Sequence, residues 1–248
     1  MERAPVFIGT SGWYYDHWKD VLYPPGLAKT KRFEIYAGIF NSVEINATFY
    51  RLPNDKAVSG WYAKAPEGFM FAVKANREIT HHRKLRNTDE ALNRFLHAIV
   101  ALKGKLGIVL FQLPPSLKRD EPLLRDFLSL LPPSLQCCFE FRHASWECEE
   151  TYAILSGAGA GHVVVSKKGY PFAEEHTAGI AYYRLHGPEQ MCASSYSDKW
   201  LQTLSGHIAA LSRSGTKTFV FFNNDIGGYA VHNARRLKAF LAERVNGR

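Results

Sequence analysis

The sequence predicts an α/β fold, a single (β/α)8 barrel of the TIM type spanning residues 1–248, and three observations carry that prediction. Eight short runs rich in β-branched and aromatic residues recur along the chain. Amphipathic helical stretches separate most of them, an alternation that calls for parallel strands joined by crossovers. A length of 248 residues suits one eight-stranded barrel better than an open doubly wound sheet, which rarely needs so many strands.

The runs follow in order. VFIGTSGW begins at Val6, SVEINATFY at Ser42, FMFAVKAN at Phe69 and LGIVLFQLP at Leu106. QCCFEFRH follows from Gln136, HVVVSK from His162, IAYYRLHG from Ile180 and TFVFFNND from Thr218. Between the third and fourth, TDEALNRFLHAIVALKG places Leu92, Phe95, Leu96, Ile99 and Val100 on one helical face and offers Thr88 as N-cap. Between the seventh and eighth, SDKWLQTLSGHIAALSRSG does the same with Leu201, Leu204, Ile208 and Leu211 and stops at Gly215. Strand starts lie about 25 to 38 residues apart except between the sixth and seventh, where about 18 leave no room for a full βαβ crossover. That crossover is therefore shortened, and KKGYPFAEEHTAG is a loop or single turn. The GAGAG from Gly157 precedes a strand instead of following one, so it reads as a helix-end spacer and not as a phosphate loop.

Composition bounds the function. With 46% hydrophobic and 22% charged residues the chain is globular, neither disordered nor fibrous. No apolar stretch approaches the roughly 18 to 20 residues that span a bilayer, and MERAPVFIGT lacks an apolar signal core, so a cytoplasmic protein without a membrane partner is expected. Cys137, Cys138, Cys148 and Cys192 form no CxxC pair, and the adjacent Cys137 and Cys138 point to opposite faces of a strand; reduced structural thiols are expected. A formal charge of +8 favours anionic partners, whether nucleic acid or phosphorylated metabolites.

Strands of a parallel barrel should be apolar throughout, yet several of these turn polar at their last residues. Glu44 and Asn46 end the second, Lys74 the third, Gln112 the fourth, Glu140 and Arg142 the fifth, Arg184 and His186 the seventh. Within a strand the polar residues are two apart, while Val43 and Ile45, Phe71 and Val73, Phe139 and Phe141, or Tyr183 and Leu185 fill the other face. That parity puts the polar set inside the barrel and the apolar set under the helices. On the eighth strand Asn223, Asn224 and Asp225 occupy the equivalent end, with ambiguous parity. A paired ionic layer plugging the barrel is the structural alternative. Buried ion pairs cost much desolvation for little net stability, which favours a functional pocket at the C-terminal strand ends.

Seven motifs taken together resemble the domain of unknown function 72 family, also called YecE-like. They are GTSGWYYDHW from Gly9 with Tyr23 and Pro24 following, VEINATFYRLP from Val43, FAVKAN with ITHHRKL from Ile79, LFQLPPS from Leu110, FEFRHASW from Phe139, YYRLHG from Tyr182, and FFNNDIGGYAVHNA from Phe221. The resemblance runs over nearly the whole chain and implies a TIM-type barrel; it implies no particular reaction. The chain departs from the family at the sixth strand, where VVVSKKGYP carries Ser166 in place of a frequent acidic residue.

The inventory suits general acid/base chemistry on a small anionic substrate, bearing phosphate or carboxylate, or on a polyol-like one. His186 and Glu140 are the acid/base candidates, with Glu44 as the second carboxylate. Lys74, Arg142 and Arg184 would contact the anion, and Asn46, Gln112, Asn223, Asn224 and Asp225 would orient substrate or one another. Gly227 and Gly228 precede the helix YAVHNARRLKAF and either bind phosphate at its start or make a turn that needs positive φ. Trp13 and Tyr50, in aromatic clusters after the first two strands, either stack on a ligand or fasten loops. His81 and His82 either bring another donor to the pocket or lead into the following helix. A metal held by Glu44, Glu140, His186 and Asp225 is disfavoured by Lys74 and Arg142 among them, and no metal or cofactor is assigned. Lys74 as a Schiff-base nucleophile ranks below Lys74 as an anion contact. Two other classes stay open: a nucleic-acid-binding or phosphodiester-processing protein, and a ligand-binding module without catalysis.

Overall fold

The computed structural model describes residues 3–169, 172 and 174–246. All eight expected strands form: β1 Val6–Thr10, β2 Ser42–Ile45, β3 Met70–Lys74, β4 Leu106–Gln112, β5 Cys137–Glu140, β6 Gly161–Ser166, β7 Ile180–Leu185 and β8 Lys217–Phe222. They lie in the order β1-β8-β7-β6-β5-β4-β3-β2, and a parallel bridge from Ser11 to Glu44 joins the two ends of that order, as a nearly closed TIM-type barrel requires. The intervening helices are α1 Arg32–Ala37, the single turn α2 Ala47–Tyr50, α3 Asp55–Lys64, α4 Asp89–Ile99, α5 Glu121–Ser129, α6 Glu149–Gly157, α7 Asp198–Arg213 and α8 Tyr229–Asn246. Between β6 and β7 the described residues contain no helix, in accord with the short spacing. No helix among the described residues is long and apolar enough to cross a membrane.

Residue contacts divide the chain into two compact units. One holds the chain up to Glu44, then Val164–Glu174 and the chain from Gly179 on; the other holds Ile45–Val163 and Glu175–Ala178. In the first, β7 and β8 run in register from Ile180 opposite Lys217 to Leu185 opposite Phe222, and β8 pairs with β1. Gly9 on β1 is obligatory: a Cβ there would lie 1.9 Å from the Ser42 carbonyl oxygen. The Tyr36 hydroxyl uses the same close approach, accepting from Thr10 N at 2.9 Å and donating to Ser42 O at 2.9 Å. In the second unit, β4 lies between β3 and β5, with Gln112 directly opposite Glu140. Phe111 and Phe139 turn toward α5 and meet Phe127 at 5.1 and 6.1 Å, which confirms the helix-facing parity of those positions.

Helix starts follow local chemistry. Asn54, Asp120 and Ser197 stand in extended backbone before α3, α5 and α7, and each side chain accepts an N–H three residues on. Thr88 does not cap α4 through its side chain. Its backbone is already helical (φ −99°, ψ −2°), so the hydroxyl cannot reach the first turn, and only its carbonyl joins the helix, accepting from Leu92 N at 2.7 Å. No disulfide joins the four cysteines, and Cys137 and Cys138 are buried.

Candidate functional site

Each unit gathers polar side chains at the C-terminal ends of its strands, and each cluster pairs a carboxylate with an arginine. In the first unit the carboxylate is Glu44. Its Oε1 accepts from the Ser11 hydroxyl (2.7 Å) and Arg184 Nη2 (2.7 Å), and its Oε2 from the Tyr182 hydroxyl (2.7 Å) and Arg184 Nε (2.9 Å). Both oxygens are thus doubly occupied by a bidentate guanidinium and two hydroxyls. Glu44 and Tyr182 are fully buried, and Ser11 and Arg184 are 1% and 2% exposed. Burial by itself would raise the Glu44 pKa. The charge and hydrogen bonds of Arg184, with those of Tyr182 and Ser11, reverse this and hold the carboxyl below its ordinary range. Glu44 is therefore an ionised anchor for Arg184.

His186 follows Arg184 two residues on, and its Nδ1 accepts from Asn223 Nδ2 at 2.9 Å, which places the proton of a neutral imidazole on Nε2. Its backbone N–H donates to Ser166 O at 2.8 Å. The Ser166 hydroxyl accepts from the Tyr196 hydroxyl at 2.9 Å. The parity of the β8 end is resolved as well. Phe219 and Phe221 pack on Tyr182 at 6.0 and 5.3 Å, so Asn223 shares their face and reaches His186. Asn224 turns the other way: its Nδ2 donates to Asn233 Oδ1 of α8 (2.9 Å) and to Ser194 O (2.8 Å).

Other candidates of this unit have mainly architectural contacts. Asp225 is half-buried; burial raises its carboxyl pKa against the pull of its own backbone N–H and His17, and its carbonyl accepts from His17 Nε2 at 2.8 Å. Gly227 and Gly228 have φ of 71° and 77°, and a Cβ on Gly228 would lie 2.8 Å from Val21 Cγ1, so both make the turn into α8. Trp13 packs edge-on against Phe33 at 5.2 Å, and its carbonyl accepts from the Tyr23 hydroxyl. The aromatic segment after β1 fastens a loop, with Trp18 wholly buried at its centre.

The second unit assembles a chain of groups across β3, β4 and β5. Lys74 Nζ donates to Gln112 Oε1 (2.9 Å), Gln112 Nε2 donates to Glu140 Oε1 (3.0 Å), and Arg142 Nε closes on the same carboxylate oxygen. The in-register pairing of Gln112 with Glu140 produces this relay. Glu140 is fully buried, but Lys74 and Gln112 are each 9% exposed and the Arg142 side chain 15%. Lys74 Nζ also stands 4.1 Å from the centre of the Phe49 ring, and the Thr48 hydroxyl holds the Lys74 carbonyl at 2.6 Å. Asn46 follows β2 and leads into the turn α2, its Oδ1 buried without a hydrogen-bond partner.

One residue belongs to this cluster that strand parity could not supply. His81 meets Phe49 edge-on at 4.8 Å and contacts the Thr80 hydroxyl through Nδ1 at 2.9 Å. Burial, then the charges of Lys74, His82 and Arg142, push its pKa down to about 4 against the opposing pull of Glu140, so at neutral pH the ring is uncharged. His81 sits in a single π-turn, Glu78–His82, closed by Arg83 N on Glu78 O at 2.9 Å. Arg83 and Arg94 both clamp the Glu78 side chain. Beyond the turn, Lys84, Leu85 and Asn87 take φ of 49°, 68° and 50°, a left-handed backbone that costs non-glycine residues roughly 1 to 2 kcal/mol each. The motif ITHHRKL marks the segment in the sequence, but nothing in it announces this path.

Parallel strands alternating with helices, with polar side chains confined to the strand ends, define a TIM-type barrel protein. The family model described as "Protein of unknown function DUF72" matches residues 7–248, so the chain belongs to that family. It is similar to the UPF0759 protein YunF of Bacillus subtilis, 26% identical over 275 residues covering 98% of this chain and 96% of that protein. UPF0759 protein YecE of Escherichia coli is 29% identical over 181 residues, 71% of this chain and 64% of that protein. Among solved structures, a DUF72 family protein from Thermotoga maritima has a TM-score of 0.86 at 32% identity, covering 96% of this chain and 99% of that one. A DUF72 family protein from Enterococcus faecalis shares the fold at 19% identity, with a TM-score of 0.83.

Proposed function

We propose that the protein is an enzyme applying general acid/base chemistry to a small anionic substrate at the ends of β3, β4 and β5. Lys74 and Arg142 take the anion through charge-assisted hydrogen bonds. Glu140 positions Arg142 directly and Lys74 through Gln112, and His81 is the proton-transfer group. The observation that carries this reading is convergence: Lys74, through Gln112, and Arg142, directly, meet on the Glu140 carboxylate beside a histidine kept neutral. The same anion lifts His81 toward the range in which an imidazole transfers protons, because it offsets the cations that depress it.

The test is calorimetric titration with inorganic phosphate. Lys74→Gln and Arg142→Gln should each weaken binding about tenfold, the loss expected for one charge-assisted hydrogen bond. Equal affinity in wild type and both variants would remove the reading. Among anions that bind, turnover sensitive to His81→Asn distinguishes an enzyme from a binding module.

A further inference from the structure

One side chain next to this cluster is unexplained by packing. Tyr50 is 67% exposed, yet it sits on the short, well-anchored turn α2 beside Phe49. Phe49 connects it to the anion site: Lys74 Nζ lies 4.1 Å from the Phe49 ring centre, His81 meets that ring at 4.8 Å, and Tyr50 stands edge-on to it at 5.0 Å. The Arg77 guanidinium faces the Tyr50 ring at 5.9 Å. A cation that takes a negative charge is thus within about two ring widths of an open aromatic face flanked by a second guanidinium. The Asn46 carbonyl receives Phe49 N at 3.1 Å and anchors the turn that carries both rings.

The geometry points to a substrate whose anionic group is carried on a planar ring. The anion lies on Lys74 and Arg142, and the ring lies on Tyr50 against Arg77. This rests on the anion reading above and adds the substrate's body to its head. Inorganic phosphate lacks the ring and would engage only the cations, whereas a stacked ring contributes about a further tenfold in affinity.

Phenyl phosphate, inorganic phosphate and phenol are the probes, each titrated into the full-length protein. Phenyl phosphate should bind about tenfold more tightly than inorganic phosphate, and phenol, which lacks the anion, more weakly than either. Tyr50→Ala should bring phenyl phosphate down to the affinity of inorganic phosphate, and Tyr50→Trp should restore the difference. Because Tyr50 is exposed, both variants are expected to fold, which far-ultraviolet circular dichroism checks. If phenyl phosphate binds no more tightly than inorganic phosphate, or Tyr50→Ala leaves the difference in place, the ring inference falls while the anion reading stands. If neither phosphate binds, both fall together.

Discussion

Glu44 with Arg184 and Glu140 with Arg142 are the same pair of residue types at strand ends, but the surroundings make them different devices. Around Glu44 every acceptor position is filled from within, by a bidentate guanidinium and two hydroxyls, and Arg184 is 2% exposed. Around Glu140 the donors are more exposed, Lys74 and Gln112 at 9% and the Arg142 side chain at 15%. A closed ion pair is costly to break and has no capacity for a ligand; an open one is cheaper to disturb and can take one. The sequence reading assigned Glu44 and Glu140 alike to chemistry. Their environments separate them: Glu44 anchors Arg184 in a sealed cluster, and Glu140 belongs to the cluster proposed to bind an anion.

The comparison can be broken most severely in the sealed cluster. Arg184→Met leaves the Glu44 carboxylate buried without its cation and should cost roughly 3 to 5 kcal/mol of stability, read from urea denaturation midpoints. Arg142→Gln, in the open cluster, should cost only about 1 kcal/mol by the same measurement while weakening phosphate binding about tenfold. Equal stability losses in the two variants would show that the clusters do not differ in kind. Tyr182→Phe removes one of four bonds to Glu44 and should cost about 1 kcal/mol, with no effect on phosphate affinity.

The smallest effect is a change of slope with pH. Above 6.5, the ordinary value for histidine, His81 is neutral in folded and unfolded chains alike. As pH falls below that, the unfolded chain binds a proton that the folded protein refuses until about 4, so the folded state loses stability across this window. His81→Asn should flatten the denaturation midpoint between those two pH values. Saturating phosphate should move the His81 titration upward in an NMR pH series; a titration unmoved by phosphate would separate His81 from the anion.

Much of this was legible in the chain. Strand positions were readable because apolar β-branched runs recur between amphipathic helices, and the short link between β6 and β7 because too few residues lie there for a helix. The faces of β4, β5 and β7 were readable because side chains alternate with a fixed period of two, so Gln112 and Glu140 on one side imply Phe111 and Phe139 on the other. The end of β8 was not: three consecutive polar residues carry no alternation, and only the packing of Phe219 and Phe221 on Tyr182 shows that Asn223 is the one facing His186. Tyr182 was invisible as a site residue because its partner is Glu44, 138 residues away. His81 was ambiguous because a π-turn and left-handed Lys84, Leu85 and Asn87 set its position, without a glycine to announce them.

The sequence by itself determined the barrel, its truncated crossover and the gathering of charge at the strand ends. Those features depend on periodicity and spacing, which are local properties of a chain. Tertiary structure alone decided which charges are satisfied, because that depends on how many donors from distant segments reach one carboxylate and how much water remains beside it. Glu44 has its complement from two other strand ends, those of β1 and β7, while Lys74, Gln112 and Arg142 line up on Glu140 with more of their side chains exposed.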